Sequence, residues 1–154
     1  MLGGPAEGRF QTIHLFTTET SLDMKDSTGD KLLWPVRHAF IQILEIGYTM
    51  MAADGAVTTN GVYNIDKQIK EGGARAIINS LGVLTFDAAL TLYQNKVVPV
   101  NAGASTTPST RNYPLAKAGD VLVLELVTQG VGAGDQSVRP YIKYREMPVG
   151  DVQG

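Results

Sequence analysis

The two histidines are the first residues to consider, because imidazole binds metal ions and transfers protons near neutral pH. His14 and His38 form neither an H-x-H nor an H-E-x-x-H pattern, the spacings that would place two imidazoles on one ion. The chain has no cysteine, so thiolate ligands, cysteine nucleophiles and disulfides are excluded. We therefore predict that neither histidine binds a metal or an organic cofactor.

Three aspartates, Asp23, Asp26 and Asp30, suggest a calcium loop, since Ca²⁺ is bound by clustered oxygen ligands. Asp26, Thr28 and Asp30 match the first, third and fifth positions of an EF-hand, but Lys31 stands where that loop requires glycine. The mismatch favours solvated turn residues, which form hydrogen bonds with the nearby backbone.

Motifs for catalysis and nucleotide binding are missing from the sequence, which contains no G-x-S-x-G elbow, P-loop or G-x-G-x-x-G. Gly130, Gly132 and Gly134 lie between two predicted strands rather than before a helix, so we expect a hairpin loop instead of a phosphate site. Glu45 and Glu125 fall inside apolar strands, where an outward-facing position is expected rather than a catalytic acid. We predict no catalytic residue, no cofactor and no enzymatic activity.

Aromatic residues provide the remaining candidate contacts. Trp34, the single tryptophan, stands before the most apolar segment and fits either a plug at the core boundary or a contact with a partner. Tyr141 and Tyr144 are the residues that a glycan-binding surface would use if they were exposed.

Composition describes a single domain of 154 residues with 44% hydrophobic residues, 18% charged residues and 17 glycines, a mixture typical of short strands and tight turns. The formal charge of −2 is scattered along the chain, which predicts no nucleic-acid partner. No basic region followed by an apolar run begins the sequence, and no segment is long and apolar enough for a membrane helix, so we expect neither an export signal nor a membrane association.

Strands are predicted along most of the chain. Residues 10–16 form an edge strand with Ile13 and Leu15 on one face, and residues 39–52 form a strand buried on both faces. Residues 121–128 and 138–145 are predicted to pair as an antiparallel hairpin around the glycine loop 129–135, with Leu124 buried.

Two local features refine this pattern. Pro140 cannot donate a ladder hydrogen bond, so the last strand should begin at Pro140 or lie at an edge. Residues 86–96 fit a helix and a strand equally well, and residues 102–112 are predicted to be a long loop.

Seven or eight strands without βαβ alternation predict an all-β, antiparallel two-sheet sandwich of the jelly-roll or Greek-key kind, with the strand order left open. The predicted organisation is an extended N-terminal arm over residues 1–9, the sandwich over residues 10–147 and a C-terminal tail over residues 148–154.

The arm contains three glycines and one proline, and ordering it costs about 1–2 kcal/mol per residue in backbone entropy. Contacts within one subunit can hardly offset this cost, so we expect the arm to lie against another polypeptide. Leu2, Pro5, Arg9 and Phe10, together with Trp34, are the predicted assembly contacts.

The order of several segments carries a resemblance: VRHAFIQILEIGYTMM, then DGAVTTNGVYNIDKQIKEGG, then YPLAKAGDVLVLELVTQGVGAG and a closing PYIKYRE. Over residues 10–146 the chain resembles the small β-sandwich proteins of tailed-bacteriophage virions, and most closely the capsid decoration, or cement, proteins. The resemblance implies a homotrimer on the outer capsid surface of the virion, made in the host cytoplasm, that bridges subunits of the major capsid protein. The alternatives are a glycan- or receptor-binding module of a phage fibre or tail and another oligomeric scaffold.

Overall fold

A computed structural model describes residues 12–52, 56–71, 74–100 and 114–147, with only the backbone described over residues 69–80. These residues form twelve strands and no helix. The strands are β1 Ile13–Thr17, β2 Leu22–Asp23, β3 Lys31–Pro35, β4 Phe40–Met50, β5 Val57–Thr59, β6 Val62–Glu71, β7 Ala74–Thr85, β8 Asn95–Val98, β9 Leu115–Lys117, β10 Val121–Thr128, β11 Val131–Gly132 and β12 Ser137–Glu146. Every pairing between them is antiparallel, so the predicted all-β class is confirmed.

Two main sheets enclose the core. Sheet A has the order β1-β12-β4-β8, with β2 on β12 and β9 on β4, and sheet B has the order β3-β10-β6-β7. Buried side chains of both sheets form one hydrophobic cluster, in which Ile46 and Tyr48 of sheet A join Ile65 and Leu122 of sheet B. Shared burial of this kind is how a two-sheet sandwich is stabilised.

The central strand β4 differs from the prediction that it is buried on both faces. Tyr144 pairs with Ile43 and Lys143 pairs with Glu45, so Leu44 is the extra residue of a β-bulge. The bulge shifts the inward-facing positions by one residue. Odd-numbered residues before the bulge and even-numbered residues after it therefore face the same core. Ile41 and Ile43 before the bulge are fully buried, as are Ile46, Tyr48 and Met50 after it.

The predicted hairpin is wrong, because β10 and β12 belong to different sheets. The glycine segment between them crosses from sheet B to sheet A, and its strand β11 pairs with β5. The buried Gln136 fixes this crossover: its Oε1 accepts from the backbone N–H of Gly61 at 2.8 Å, and its Nε2 donates to the carbonyl oxygen of Thr59 at 2.9 Å. Leu124 is buried, as predicted, although its neighbours are β3 and β6.

Pro140 also lies elsewhere than expected, inside β12 and opposite Tyr48 of β4. Its carbonyl oxygen faces the other neighbour and accepts from Thr17 Oγ1 at 3.3 Å. The backbone N–H of Thr18, one residue beyond the end of β1, donates to the same oxygen at 3.5 Å. The N–H and C=O of one residue point to the same side of a strand, so the missing N–H affects only the end of the pairing with β1 and no bond to β4.

Residues 86–96 form neither the helix nor one continuous strand. Two turns occupy the segment, closed by backbone bonds from Leu90 N to Asp87 O and from Gln94 N to Thr91 O, both 3.1 Å. The strand β8 begins only at Asn95. Tyr93 has a φ of 66°, which is not a helical conformation. Its side chain is exposed, whereas the predicted helix would have placed it on the buried apolar face.

Several sequence-based expectations lie outside the described residues. These are the arm over residues 1–9, the tail over residues 148–154 and the loop over residues 102–112. Within the described ranges, no helix is of a length and hydropathy that could cross a bilayer.

Candidate functional site

A groove of about 280 Å³ on the outer face of sheet A is the candidate site. Residues of four strands, β1, β12, β4 and β8, line it, because paired residues of neighbouring strands share a face of the sheet. The lining residues are Leu15, Thr17, Thr49, Asn95, Arg139, Tyr141 and Lys143. Their registers bring them together: Leu15 lies opposite Lys143, Thr17 opposite Tyr141 and Thr49 opposite both Arg139 and Asn95.

Gly47 allows the Tyr141 side chain to lie across β4. A Cβ atom at position 47 would be 2.5 Å from Tyr141 Oη and 2.4 Å from the carbonyl oxygen of Lys96, so glycine leaves room for the ring. Tyr141 Oη donates a hydrogen bond to Glu45 Oε2 at 3.0 Å. Burial, followed by this hydrogen bond to Glu45, raises the pKa of Tyr141 to about 12, so the hydroxyl group stays protonated at neutral pH.

Of the two positively charged residues in the groove, only Lys143 has a carboxylate partner among the described residues. Lys143 Nζ lies 3.2 Å from the same Glu45 oxygen that accepts from Tyr141. Arg139, in contrast, has no hydrogen bond or ion pair within the described part of the chain, and its Nε is buried without an acceptor. Buried polar nitrogens are nearly always hydrogen-bonded, so this guanidinium is the chemically unusual group of the site.

Apolar residues surround the groove. Ile13 and Leu15 of the edge strand β1 point outward and are 62% and 61% exposed, and Val97 of β8 is 57% exposed. We refer to Ile13 and Leu15, which lie on the same edge strand, as the apolar strip; Val97 lies on β8, across β12 and β4. Edge strands that carry exposed apolar residues are ready to pair or pack with another chain.

The aromatic residues form a cluster that joins the two sheets rather than a binding surface. Trp34 of β3 stacks on Phe16 of β1 at 4.8 Å between ring centroids and packs against Tyr144 of β12 at 4.8 Å. Trp34 is half-buried, which agrees with a plug at the core boundary, and its predicted role as an assembly contact stays a prediction. Tyr141 and Tyr144, the residues that a glycan-binding surface would use if they were exposed, are only 7% and 8% exposed.

The histidines belong to the same cluster. His14 stacks on Tyr144, with 5.3 Å between ring centroids. His38 Nε2 lies 3.2 Å from Tyr144 Oη, and its Nδ1 contacts the Glu146 carboxylate. Across the residues that the structure describes, no group of three or more His, Cys, Asp or Glu side chains could hold a metal ion.

The aspartate loop is held together by its own hydrogen bonds. Asp26 forms an ion pair with Lys31 at 2.7 Å, and Asp23 Oδ1 accepts from the backbone of Lys25 at 2.9 Å. The hydrogen bond from Lys31 lowers the pKa of Asp26 to about 2. Asp30 Oδ1 accepts from the backbone N–H of Leu126 at 3.1 Å, which ties the loop to β10. The loop residues thus act as turn residues.

An acidic pair on the outer face of sheet B was not found from the sequence. Asp66 of β6 is 2% exposed and shares a hydrogen bond with Glu125 of β10. Burial is the main cause that raises the pKa of Asp66 to about 7, and the bond to Glu125 raises it further. Two carboxyl groups that share a proton could serve acid–base catalysis, but the burial of Asp66 denies access to a substrate.

A second concavity, of about 470 Å³, lies on the outer face of sheet B beside Leu32, Pro35, Val121 and Val123. Its two charged lining residues are already satisfied, because Lys31 is paired with Asp26 and Asp30 accepts from Leu126. The groove on sheet A is therefore the better candidate, since it contains Arg139, whose Nε has no acceptor in the part of the chain that the structure describes.

The structure brings together a site different from the predicted one. Leu2, Pro5, Arg9 and Phe10 lie outside the described residues, and Trp34 is separate from the groove. The alternation of β12 was the one relevant sequence signal: it places Arg139, Tyr141 and Lys143 on the same face of the strand, without indicating that this face is the surface. No protein-family model matches the chain, and neither a curated protein nor a solved structure matches it.

Proposed function

We propose that this protein is a virion structural protein, a capsid decoration or cement protein that binds the outer surface of the major capsid protein shell and stabilises it. The apolar strip on the outer face of sheet A is the observation that carries the proposal. Ile13 and Leu15 are each more than 60% exposed on an edge strand that contains neither lysine nor proline. Burial against another protein would remove this apolar surface from water at about 25 cal/mol per Å².

A protein partner suits the strip better than a small molecule or a glycan. Small-molecule ligands are mostly enclosed in concave pockets, whereas Ile13 and Leu15 point outward and are more than 60% exposed. A glycan-binding face would also present aromatic rings, whereas Tyr141 and Tyr144 are buried. The homotrimer and the position on the capsid surface follow from the resemblance of the sequence, and we retain both as part of the proposal.

Binding to capsids tests the function directly. The purified protein is mixed with capsids assembled from the major capsid protein encoded in the same genome, and the mixture is sedimented. We expect the protein to sediment with the capsids in a fixed ratio and to raise the temperature at which they break open. Light scattering of the free protein should give the mass of three copies. A wild-type protein that neither sediments nor stabilises the capsids would reject the proposal.

A matched pair of variants tests the face. Leu15→Glu places a charge in the apolar strip, whereas Leu32→Glu places one on the outer face of sheet B, where Leu32 is 67% exposed. Both variants should fold, because neither side chain is in the core. We expect Leu15→Glu to weaken capsid binding at least tenfold and Leu32→Glu to leave it unchanged. The opposite pattern would assign the contact to sheet B.

The arm predicted from the sequence provides a further test. Deletion of residues 2–9 should weaken capsid binding or trimer formation and change the melting temperature by a few degrees at most. An unfolded deletion variant, with unchanged binding per folded molecule, would contradict the assembly role of the arm.

A further inference from the structure

We propose that the groove beside the apolar strip binds a carboxylate side chain, Asp or Glu, of the partner polypeptide, with Arg139 as the residue that recognises it. For the identity of the partner, this inference rests on the proposed function. The binding chemistry itself follows from the charges, shape and position of the groove.

The charged side chains in and beside the groove do not balance. Two cations line the groove, Arg139 and Lys143, and the nearby carboxylate of Glu45 is occupied by Lys143 and by Tyr141 Oη. Among the described residues, this leaves the positive charge of Arg139 without a carboxylate. Its Nε is buried, but Arg139 as a whole is only half-buried and lines the groove, so an incoming acceptor would reach the accessible part of the guanidinium group.

The shape of the groove limits the size of the acceptor. One wall is the exposed Leu15, and the other is the pair formed by Thr49 Oγ1 and Asn95 Oδ1 at 2.7 Å, which leaves the amide nitrogen of Asn95 as a further donor. Tyr141 lies between these walls, over Gly47. A volume of about 280 Å³ admits one or two side chains. The methylene groups of Asp or Glu would contact Leu15 while the carboxylate contacts Arg139.

Arginine favours a carboxylate for geometric reasons. Its planar guanidinium group donates two parallel hydrogen bonds to the two oxygens of one carboxylate, and such charge-assisted bonds are roughly twice as strong as neutral ones. A polyanion such as a nucleic acid would need several free cations, and it would meet a chain whose formal charge is −2. Among the described residues that line the groove, Arg139 is the one cation without a carboxylate partner, and one cation beside the apolar Leu15 matches one acidic side chain of a protein.

Nuclear magnetic resonance of the full chain tests the inference without capsids. The probe is the peptide acetyl-Glu-Glu-Glu-Glu-amide, and the matched peptide of four glutamines is the control. We expect the Nε–H signal of Arg139 and the amide signals of Gly47, Tyr141 and Thr49 to shift saturably with the glutamate peptide alone. An absence of saturable shifts at these positions, or equal shifts with the glutamine peptide, would overturn the inference.

Variants make the test specific. Arg139→Gln should weaken peptide binding at least tenfold, because hydrogen bonds to charged groups contribute more than neutral ones. Arg37→Gln, a change at an exposed arginine outside the groove, should leave the binding unchanged. If Arg139→Gln does not fold, Arg139→Lys keeps the charge without the planar fork and should still weaken binding severalfold. Unchanged affinity in the folded Arg139 variant would refute the role of this residue.

Capsid sedimentation separates this inference from the proposed function. Shifts with the glutamate peptide and no capsid binding by the wild type would reject the proposed function and support the carboxylate site. Capsid binding that Arg139→Gln does not alter, together with no peptide shifts, would support the function and reject the site.

Discussion

Replacing Asp66 by asparagine should remove a loss of stability that the wild-type protein undergoes as the pH rises from about 4 to about 8. Asp66 is buried on the outer face of sheet B, where it shares a hydrogen bond with Glu125. The protonated Asp66 carboxyl can donate to Glu125, whereas the ionised form places two negative charges side by side. The amide group of the Asp66→Asn variant would imitate the protonated form at every pH, since it also donates.

The size of the effect follows from the pKa. Burial and the bond to Glu125 raise the pKa of Asp66 from 3.8 to about 7. Stability linked to this group is therefore fully present below pH 3.8 and is lost as the pH rises through about 7. A pKa difference of one corresponds to about 1.36 kcal/mol, which gives an upper limit of about 4 kcal/mol. We expect a smaller change of about 1–3 kcal/mol, because Asn64 Nδ2 donates to Glu125 Oε2 at 3.3 Å and so offsets part of the negative charge beside Asp66.

Urea unfolding at a series of pH values measures this change. The free energy of unfolding of Asp66→Asn minus that of the wild type should increase steadily from about pH 4 to about pH 8. Asp26→Asn is the matched control, because the ion pair with Lys31 lowers the pKa of Asp26 to about 2. The stability that Asp26 contributes is lost only as the pH falls from 3.8 towards 2, so this variant should show no such increase.

A constant difference between Asp66→Asn and the wild type across this range would refute the reasoning. It would mean that Asp66 is ionised in the folded protein at all these pH values. Glu125→Gln gives an independent check: removing the neighbouring negative charge and the carboxylate hydrogen bond should lower the pKa of Asp66 and shift the stability loss to lower pH.

Three further predictions concern packing and metals. Leu124→Ala should lower the free energy of unfolding by about 2–5 kcal/mol in urea titrations, because a cavity remains in the core; a loss below about 1 kcal/mol would contradict its burial. Gly47→Ala should cost about 1–3 kcal/mol and disturb the Tyr141 ring, visible in near-ultraviolet circular dichroism, since the carbonyl oxygen of Lys96 would be 2.4 Å from the new Cβ. A metal chelator should leave the melting temperature unchanged, because the oxygen atoms of Asp23, Asp26 and Asp30 accept bonds from the protein itself; a chelator-dependent fall would restore the calcium interpretation.

Local sequence patterns were sufficient to predict the all-β class and the long strands β4 and β10, although seven or eight strands were expected and the described residues form twelve. The β-branched run of β10 and the apolar run of β4 indicate extended structure whatever the tertiary context, because each side chain's propensity acts locally. The bulge at Leu44 was beyond such patterns. One extra residue reverses the alternation of β4, and only the pairing with β12 reveals which residue is extra.

Partner choice between strands was the main error, and its cause is physical. A short glycine segment between two apolar strands is compatible with a hairpin, which costs little loop entropy. In the structure this segment crosses from sheet B to sheet A instead. The crossover is stabilised by hydrogen bonds from the Gln136 side chain to the backbone of Gly61 and Thr59, which are distant in the sequence. Gly130 packs directly against this glutamine, where a Cβ would lie 2.5 Å from Oε1. Nothing near residue 130 in the sequence indicates that contact.

The groove could not be predicted for the same reason. Leu15, Thr49 and Arg139 come from three segments that are neighbours only after β12 has paired with both β1 and β4. The parity of Arg139, Tyr141 and Lys143 shows that they share a face, but not whether that face is the core or the surface. That choice depends on which other strands cover the sheet.

The two edge strands on one side of the sandwich offer a last argument about the function. The stacked rings of Phe16 and Trp34 place β1 over β3, so both edges face the same surroundings. Both edges expose apolar side chains, Leu32 on β3 and Ile13 and Leu15 on β1. Strand β3 also carries Lys31 and Pro35, residues that discourage pairing with another chain, whereas β1 carries neither. If such residues served only to prevent aggregation, both edge strands would need them. Protection at one edge alone is expected if the other edge, with Arg139 nearby, is covered in an assembly, which is the arrangement that the proposed function requires.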